Sequence, residues 1–418
     1  VGPLLPEPLE SRVFLNATLT SNIAPIEAAM NSAATQIDLS PHFTDPSVSG
    51  TLVLIQTTQG NIPIQLFDNV VPTTVQNFLS YVNSGEYNNT FFHRVVTLDS
   101  GGLGIVQGGG YNNTLAHITT NAPIPLEYSL PNTTGTIAMA RTMDANSATS
   151  EFFFNTVDNT QSLGADNGGG YAVFGNVIYN GMTTVDAIYG LPLNGDPAIN
   201  QPISTSDGSS LTSVPIQNYT AGQSLTFNNL VFIKSAAVVS PLLYSATSDN
   251  PNLVTPTISN GMLSLNYGSG QAGTANIVVS ATDLGGNVVS STVQVTVGST
   301  LGGRGPRTLR FTSGDGTATT LSMAGPGTAD VRFDGANVTQ TLSHGVLTVT
   351  GSGVQIQSIA LSGTTGGSSL SIAGRGGDGL VQIGTISADG SVHAISAPQG
   401  AVSGDVNIAG GLANLTLS

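Results

Sequence analysis

Between Arg12 and Lys234 the chain carries only two Lys or Arg residues, Arg94 and Arg141. The first lies inside the run Phe91-Phe92-His93-Arg94-Val95-Val96. A guanidinium set in an apolar, strand-like run costs solvation free energy unless it is hydrogen-bonded or acts on a ligand. Arg keeps its charge and presents a rigid fork of N–H donors, so the chemistry available is that of a fixed cationic donor. The structural alternative is an ion pair with Glu127 or Glu151. There is no cysteine, which removes thiolate nucleophiles, disulfides and cysteine metal sites. His42, His117, His344 and His393 are scattered without metal-ligand spacing, and His93 reads as a hydrogen-bonded core residue. Asp158 and Asp166 read as loop carboxylates, Asp249 and Asp283 as turn residues rather than calcium ligands.

The elements that must hold Arg94 are readable upstream of it. Gly50 to Thr58 reads as a strand, Gln59-Gly60-Asn61 is a turn, and Ile62 to Phe67 completes a hairpin. Pro72 to Val82 opens a helix with Pro in its first turn. Val75, Phe78, Leu79 and Val82 fall at i, i+3, i+4 and i+7, which gives one buried face, and Gly85 ends the helix. Beyond Arg94 come Gln107-Gly108-Gly109, Gly135 to Thr142, Asn146 to Asn155 and Gly170 to Gly175.

In that order these segments resemble the cyclophilin family of peptidyl-prolyl isomerases, from about Thr51 to Lys234. The resemblance implies an eight-stranded antiparallel barrel plugged by two helices, the second near Thr183 to Tyr189. It implies that Arg94 is the catalytic donor and that Gln107 holds the guanidinium and contacts the substrate backbone. Main-chain groups of Ala140 and Arg141 would clamp the substrate, with the Arg141 side chain in solvent. Ile105, Phe153 and Leu163 would line a pocket for the proline ring, with Met139 behind. Tyr171 stands where many members carry His and could donate a hydrogen bond to the substrate. The partners implied are proline-containing peptides or unfolded proteins; no cofactor or metal is called for.

Three departures from the family pattern bear on the pocket. The stretch from Arg94 to Gln107 is longer than usual, with Asp99-Ser100-Gly101-Gly102 in place of a compact turn. The aromatic wall therefore falls at Gly104, or at Leu103 if the loop shifts register. Ser162 stands where the family often has Trp or Phe. Glu151 replaces the common Gln, and its charge is expected to tether or partly neutralise Arg94. Slower turnover or altered peptide preference is expected, with the fold retained.

With 418 residues the chain is long enough for two to four domains. Gly is abundant (52 residues) and charged residues make up 8 %, a recipe for β-rich, extracellular architecture. Net charge −15 argues against nucleic-acid binding, and no apolar run reaches the length of a membrane span. The expected order is a partly ordered leader over 1–45, with a helical candidate at Pro25 to Gln36, then the barrel over 46–235. An Ig-like or cadherin-like β-sandwich over 236–298 follows, with a turn at Asp283 to Asn287. A Gly/Ser/Thr-rich, solenoid-like β region occupies 299–418. Pro6 to Ala17 resembles the LEPR-XLL motif of exported bacterial proteins, which points to a secreted or cell-surface protein. Besides an isomerase, the residues admit a non-catalytic peptide-binding module or an adhesive role for the C-terminal repeats. Oligomeric state is not legible.

Overall fold

In the computed structural model, residues 17–29, 32–269 and 271–418 are described, so the Pro6 to Ala17 motif lies outside them except for its last residue. One compact unit comprises Asp45–Leu243 with Asp283–Asn287; the other comprises Ala17–Thr44, Tyr244–Thr282 and Val288–Ser418. The first is therefore inserted in the chain of the second.

In the first unit the hairpin pairs Leu52–Thr57 with Asn61–Leu66, in the register Val53↔Ile64 and Ile55↔Ile62. These four side chains share one sheet face, as the twofold alternation requires, and are buried in one core cluster. Ten strands form the sheet, two more than the eight expected. The order runs 111–112, 90–91, 232–239, 52–57, 61–66, 173–177, 136–139, 152–155, 105–108, 94–96. Its pairings are antiparallel. The extra count comes from short strands such as Thr90–Phe91 and Tyr111–Asn112, which pair with each other. Thr90–Phe91 runs through two residues into Arg94–Val96 at the far end of the order, so the backbone itself curls the sheet.

The helix Pro72–Ser84 ends at Gly85, whose φ of 78° suits glycine. Its buried face includes Val75, Phe78, Leu79 and Val82, the four positions expected. Phe78 meets Tyr87, Phe152 and Phe174 with ring centroids 5.3, 5.6 and 4.9 Å away. The second helix, Gly181–Tyr189, packs Val185 and Ile188 into the same core. No helix among the described residues is long and apolar enough to cross a membrane.

The first helix lacks acidic residues in its own first turn. Glu127 supplies the missing acceptor from a distant loop, taking the Thr74 N–H at 2.7 Å, the Thr73 N–H at 3.3 Å and the Thr74 hydroxyl at 2.8 Å. Partial burial pushes its carboxyl up, but the hydrogen bonds from Thr74 and Thr73 together hold it below the ordinary carboxylate value. A depressed pKa contributes stability that is complete above the unfolded-state pKa and vanishes as pH falls through the folded-state value. Glu127→Ala is expected to cost ~1 kcal/mol near pH 7, as for a lost N-cap. In denaturant titrations the gap from wild type should narrow as pH falls below the ordinary carboxylate range; a gap unchanged by acidification would exclude the capping role.

The second unit holds a fourteen-stranded sheet and a three-stranded sheet. Gly273–Asp283 and Val288–Gly302 make a long hairpin, and in its Asp283–Asn287 turn, which is grouped with the first unit, Asn287 donates its N–H to the Asp283 carboxylate at 2.9 Å. The segment expected as a leader carries strands of this unit. Ile26–Ala29 runs parallel to Val288–Gly302, and Thr35–Asp38 pairs with Met262–Tyr267. The helix expected over Pro25 to Gln36 is thus replaced by strands. Its Ala and Glu content favours helix, but ladder bonds and burial of Ala28 outweigh a weak local preference. Toward the C-terminus the pairing becomes parallel: 346–362 with 381–388, 369–375 with 392–397, and 392–397 with 412–417.

Candidate active site

Strand register alone brings the candidate residues into line. Arg94 is the cross-strand partner of Gln107, Gln107 of Phe153, Phe153 of Ala138, and Ala138 of Val173. Directly opposed residues share a sheet face, so these five form one row across five strands. Two residues along, Val96 opposes Ile105 on the same face. Ile105, Phe153 and Leu163 pack with Val96, Ala138 and Val173 into one buried cluster, bordered by Leu103, Ala140 and Tyr171. The alternate residues Val95, Val106, Phe152, Phe154 and Met139 fill the barrel core on the opposite face. Met139, expected just behind the pocket, belongs to that interior cluster; strand alternation separates it from Ala138 and Ala140.

The polar end of the row is a hydrogen-bonded relay. Arg94 is exposed, and its Nη1 donates to Gln107 Oε1 at 3.1 Å. Gln107 is buried, and its Nε2 donates to Glu151 Oε2 at 2.6 Å. His93 Nε2 lies 3.4 Å from the same carboxylate oxygen, with His93 itself buried. A carboxylate only accepts and a guanidinium only donates, so the Gln107 amide has one orientation that satisfies both neighbours. Burial pushes the Glu151 carboxyl up, yet hydrogen bonding and charge from His93, with Gln107's bond, hold it below the ordinary range. Glu151 therefore tethers Arg94 through Gln107 rather than by a direct ion pair. Glu127, the other expected partner, is committed to the helix N-terminus. Ala140 donates its N–H to the Glu151 carbonyl at 2.8 Å, which joins the segment expected to clamp the substrate to the relay.

Glu151→Gln would let the Gln107 amide turn over, since a second amide can donate as well as accept. If Arg94 is the catalytic donor, kcat/KM on a proline peptide is expected to fall on the order of fivefold, about 1 kcal/mol of lost orientation. The same change made in Gln107→Ala should have no further effect, and additivity of the two would refute the relay.

The loop between Arg94 and Gln107 leaves the Arg94 side chain exposed. Leu98–Gly101 forms a short helix, and the chain then turns at Gly102, with a φ of 68°. Leu103, one of the two positions considered for the missing wall, packs on the pocket cluster. Gly104 cannot take that role: a Cβ there would stand 2.6 Å from Thr156 Oγ1 and 3.0 Å from Val157 Cγ2. Ser162 sends its hydroxyl to the Gly102 carbonyl at 3.4 Å, a loop tether in place of an aromatic side chain.

Two features escaped the sequence reading. Asn132, Asn155 and Asn159 are buried and bonded amide to amide behind the pocket. Asn132 Nδ2 reaches the Leu163 and Tyr171 carbonyls at 3.4 and 3.2 Å, and Asn159 holds both main-chain groups of Gly104. An Asn closing the apolar run Phe152-Phe153-Phe154-Asn155 was the one available hint, because a buried amide demands partners. The second is Arg141. Its side chain, expected in solvent, is half-buried and donates to the carbonyls of Gly170, Asn167, Gly168 and Thr142.

Among the described residues no group of three or more His, Cys, Asp or Glu side chains converges to hold a metal ion. A family model described as "Cyclophilin type peptidyl-prolyl cis-trans isomerase/CLD" matches residues 52–207. The chain is 44 % identical over 151 residues to a protein of Acinetobacter baylyi named "Peptidyl-prolyl cis-trans isomerase", across 35 % of this chain and 76 % of that protein. It is 42 % identical over 168 residues to "Peptidyl-prolyl cis-trans isomerase A" of Dickeya dadantii, across 39 % of this chain and 83 % of that protein. With "Peptidyl-prolyl cis-trans isomerase B" of Escherichia coli it shares 42 % identity over 151 residues, 34 % of this chain and 85 % of that protein.

Proposed function

This chain belongs to the cyclophilin-type peptidyl-prolyl cis-trans isomerase family, and from that premise we propose how it turns X-Pro bonds. It is a peptidyl-prolyl cis-trans isomerase whose substrates are proline-containing peptides or unfolded proteins, with Arg94 as the catalytic donor. An X-Pro bond rotates against a barrier of ~18–20 kcal/mol because the amide nitrogen shares its lone pair with the carbonyl. Uncatalysed exchange takes on the order of tens to hundreds of seconds. Rotation requires neither a nucleophile nor a transferred proton. It requires an environment that favours the twisted amide, whose pyramidal nitrogen has regained a lone pair that accepts a hydrogen bond.

The observation that carries this reading is the cross-strand row from Arg94 to Val173. It sets an exposed, permanently charged fork at one end of a strip whose apolar part is Ile105, Phe153 and Leu163. A proline ring over the apolar part would bring its nitrogen toward the fork. Gln107 keeps the fork from swinging, Ala140 and Arg141 offer main-chain groups to the peptide, and Tyr171 edges the pocket.

The test is exchange spectroscopy on a proline peptide with the full chain. Accelerated cis-trans exchange is the expected result. Peptide binding with exchange at the uncatalysed rate would replace this reading by a non-catalytic binding module.

For the second unit our reading is an Ig-like or cadherin-like sandwich followed by stacked, solenoid-like strands, supported by the long hairpin and the run of parallel pairings. With the Gly-rich, cysteine-free composition, it favours an exported protein whose β modules position the isomerase.

A further inference from the structure

The loop that follows Leu163 ends in Gly168-Gly169-Gly170-Tyr171, and each of its three glycines has a positive φ (66°, 96° and 85°). Such a segment has little conformational preference of its own and loses much backbone entropy when ordered. Gly170 is pinned from one side: a Cβ there would lie 2.4 Å from the Tyr128 ring. Arg141 pins the loop through its own fork. Its Nε donates to the Gly170 carbonyl at 2.9 Å, and Nη2 to the Gly168 and Asn167 carbonyls at 2.9 and 3.2 Å. The guanidinium carbon also stands 4.5 Å from the centroid of the Tyr171 ring, a cation–π contact. Tyr171 in turn meets Phe153 edge to face, with centroids 5.7 Å apart and planes at 78°.

The geometry points to Arg141 as a positioning residue of the isomerase: its side chain clips the glycine loop and holds Tyr171 against Phe153, making a fixed wall for the proline pocket. This rests on the isomerase reading above, and it assigns to the Arg141 side chain a task separate from the main-chain clamp. Lys does not replace it, because an ammonium lacks the planar fork that spans adjacent carbonyls. The wall acts on how well a peptide is held rather than on the twisting amide. Its loss therefore belongs mainly in KM.

Arg141→Ala is expected to raise KM for a proline peptide on the order of tenfold, with kcat falling by less than about threefold. Arg141→Lys should recover little of it. The Gly168 to Tyr171 amides should exchange hydrogen faster while the barrel-strand amides keep their protection. In a double-mutant cycle, Arg141→Ala added to Tyr171→Ala should raise KM no further. Unchanged KM in Arg141→Ala, or full additivity with Tyr171→Ala, would overturn the proposal. If Arg141→Ala fails to fold, Arg141→Lys carries the same comparison. Wild type without accelerated exchange would instead count against the isomerase reading itself, so the two failures are told apart.

Discussion

Arg94→Ala is expected to lower kcat/KM for isomerisation of a proline peptide by ~10²–10³, the usual consequence of removing one preorganised donor from a developing acceptor. The ground-state amide nitrogen accepts no hydrogen bond, because its lone pair is delocalised; the acceptor exists only in the twisted state. Interaction gained only there lowers the barrier without tightening substrate binding, so the loss should appear in kcat, with KM shifting little. Arg94→Lys should recover only a small part, since a flexible ammonium cannot keep both Gln107 and a substrate nitrogen in place. A protease-coupled assay checks both variants. Arg94→Ala turning over at the wild-type rate would remove Arg94 from the mechanism. The fold should survive the change, because the side chain is exposed and its main chain stays paired with Gln107.

Phe78→Ala is the substitution with the largest expected effect on stability, ~3–5 kcal/mol for emptying an aromatic core site. Phe78 is fully buried and touches three other rings: Tyr87, Phe152 and Phe174. Tyr87 donates its hydroxyl to the Ser150 carbonyl at 2.7 Å, and Phe152 lies between Glu151 and Phe153. The cavity would thus open beneath the strand that carries the polar relay and the pocket floor. For a unit of this size the melting midpoint should drop on the order of 10 °C. Calorimetry should assign that drop to one transition, because the second compact unit need not unfold with the first. A shift below 2 °C would contradict the plug role of the helix.

Much of the candidate site's arrangement was legible because its residues are placed by strand register. Arg94 and Gln107, thirteen positions apart around an irregular loop, meet because both strands are short and the ladder allows one pairing. The pocket residues Ile105 and Phe153 follow by the same alternation, and alternation also explains why Met139 faces away. Arg141 was not legible. Its partners are main-chain carbonyls of a glycine loop, and a carbonyl leaves no trace in residue type. Gly104 shows the converse case: a departure that suggested a missing wall is required by contact with Thr156 and Val157, and Leu103 takes its place beside the pocket. The strand Ile26–Ala29 left no local signal either, since it is four residues long and its partner is distant.

That distance bears on how the protein emerges from the ribosome. Ile26 is paired with Val295, so the early strand has no partner until roughly 270 residues more have been made, a wait of about 13–54 s at 5–20 residues per second. The barrel lies wholly within that interval and can close first, between two halves of a module still being translated. A fragment started near Ala236 would lack Ile26–Ala29 and Thr35–Asp38, leaving ladder edges on Val288–Gly302 and Met262–Tyr267 open to other chains.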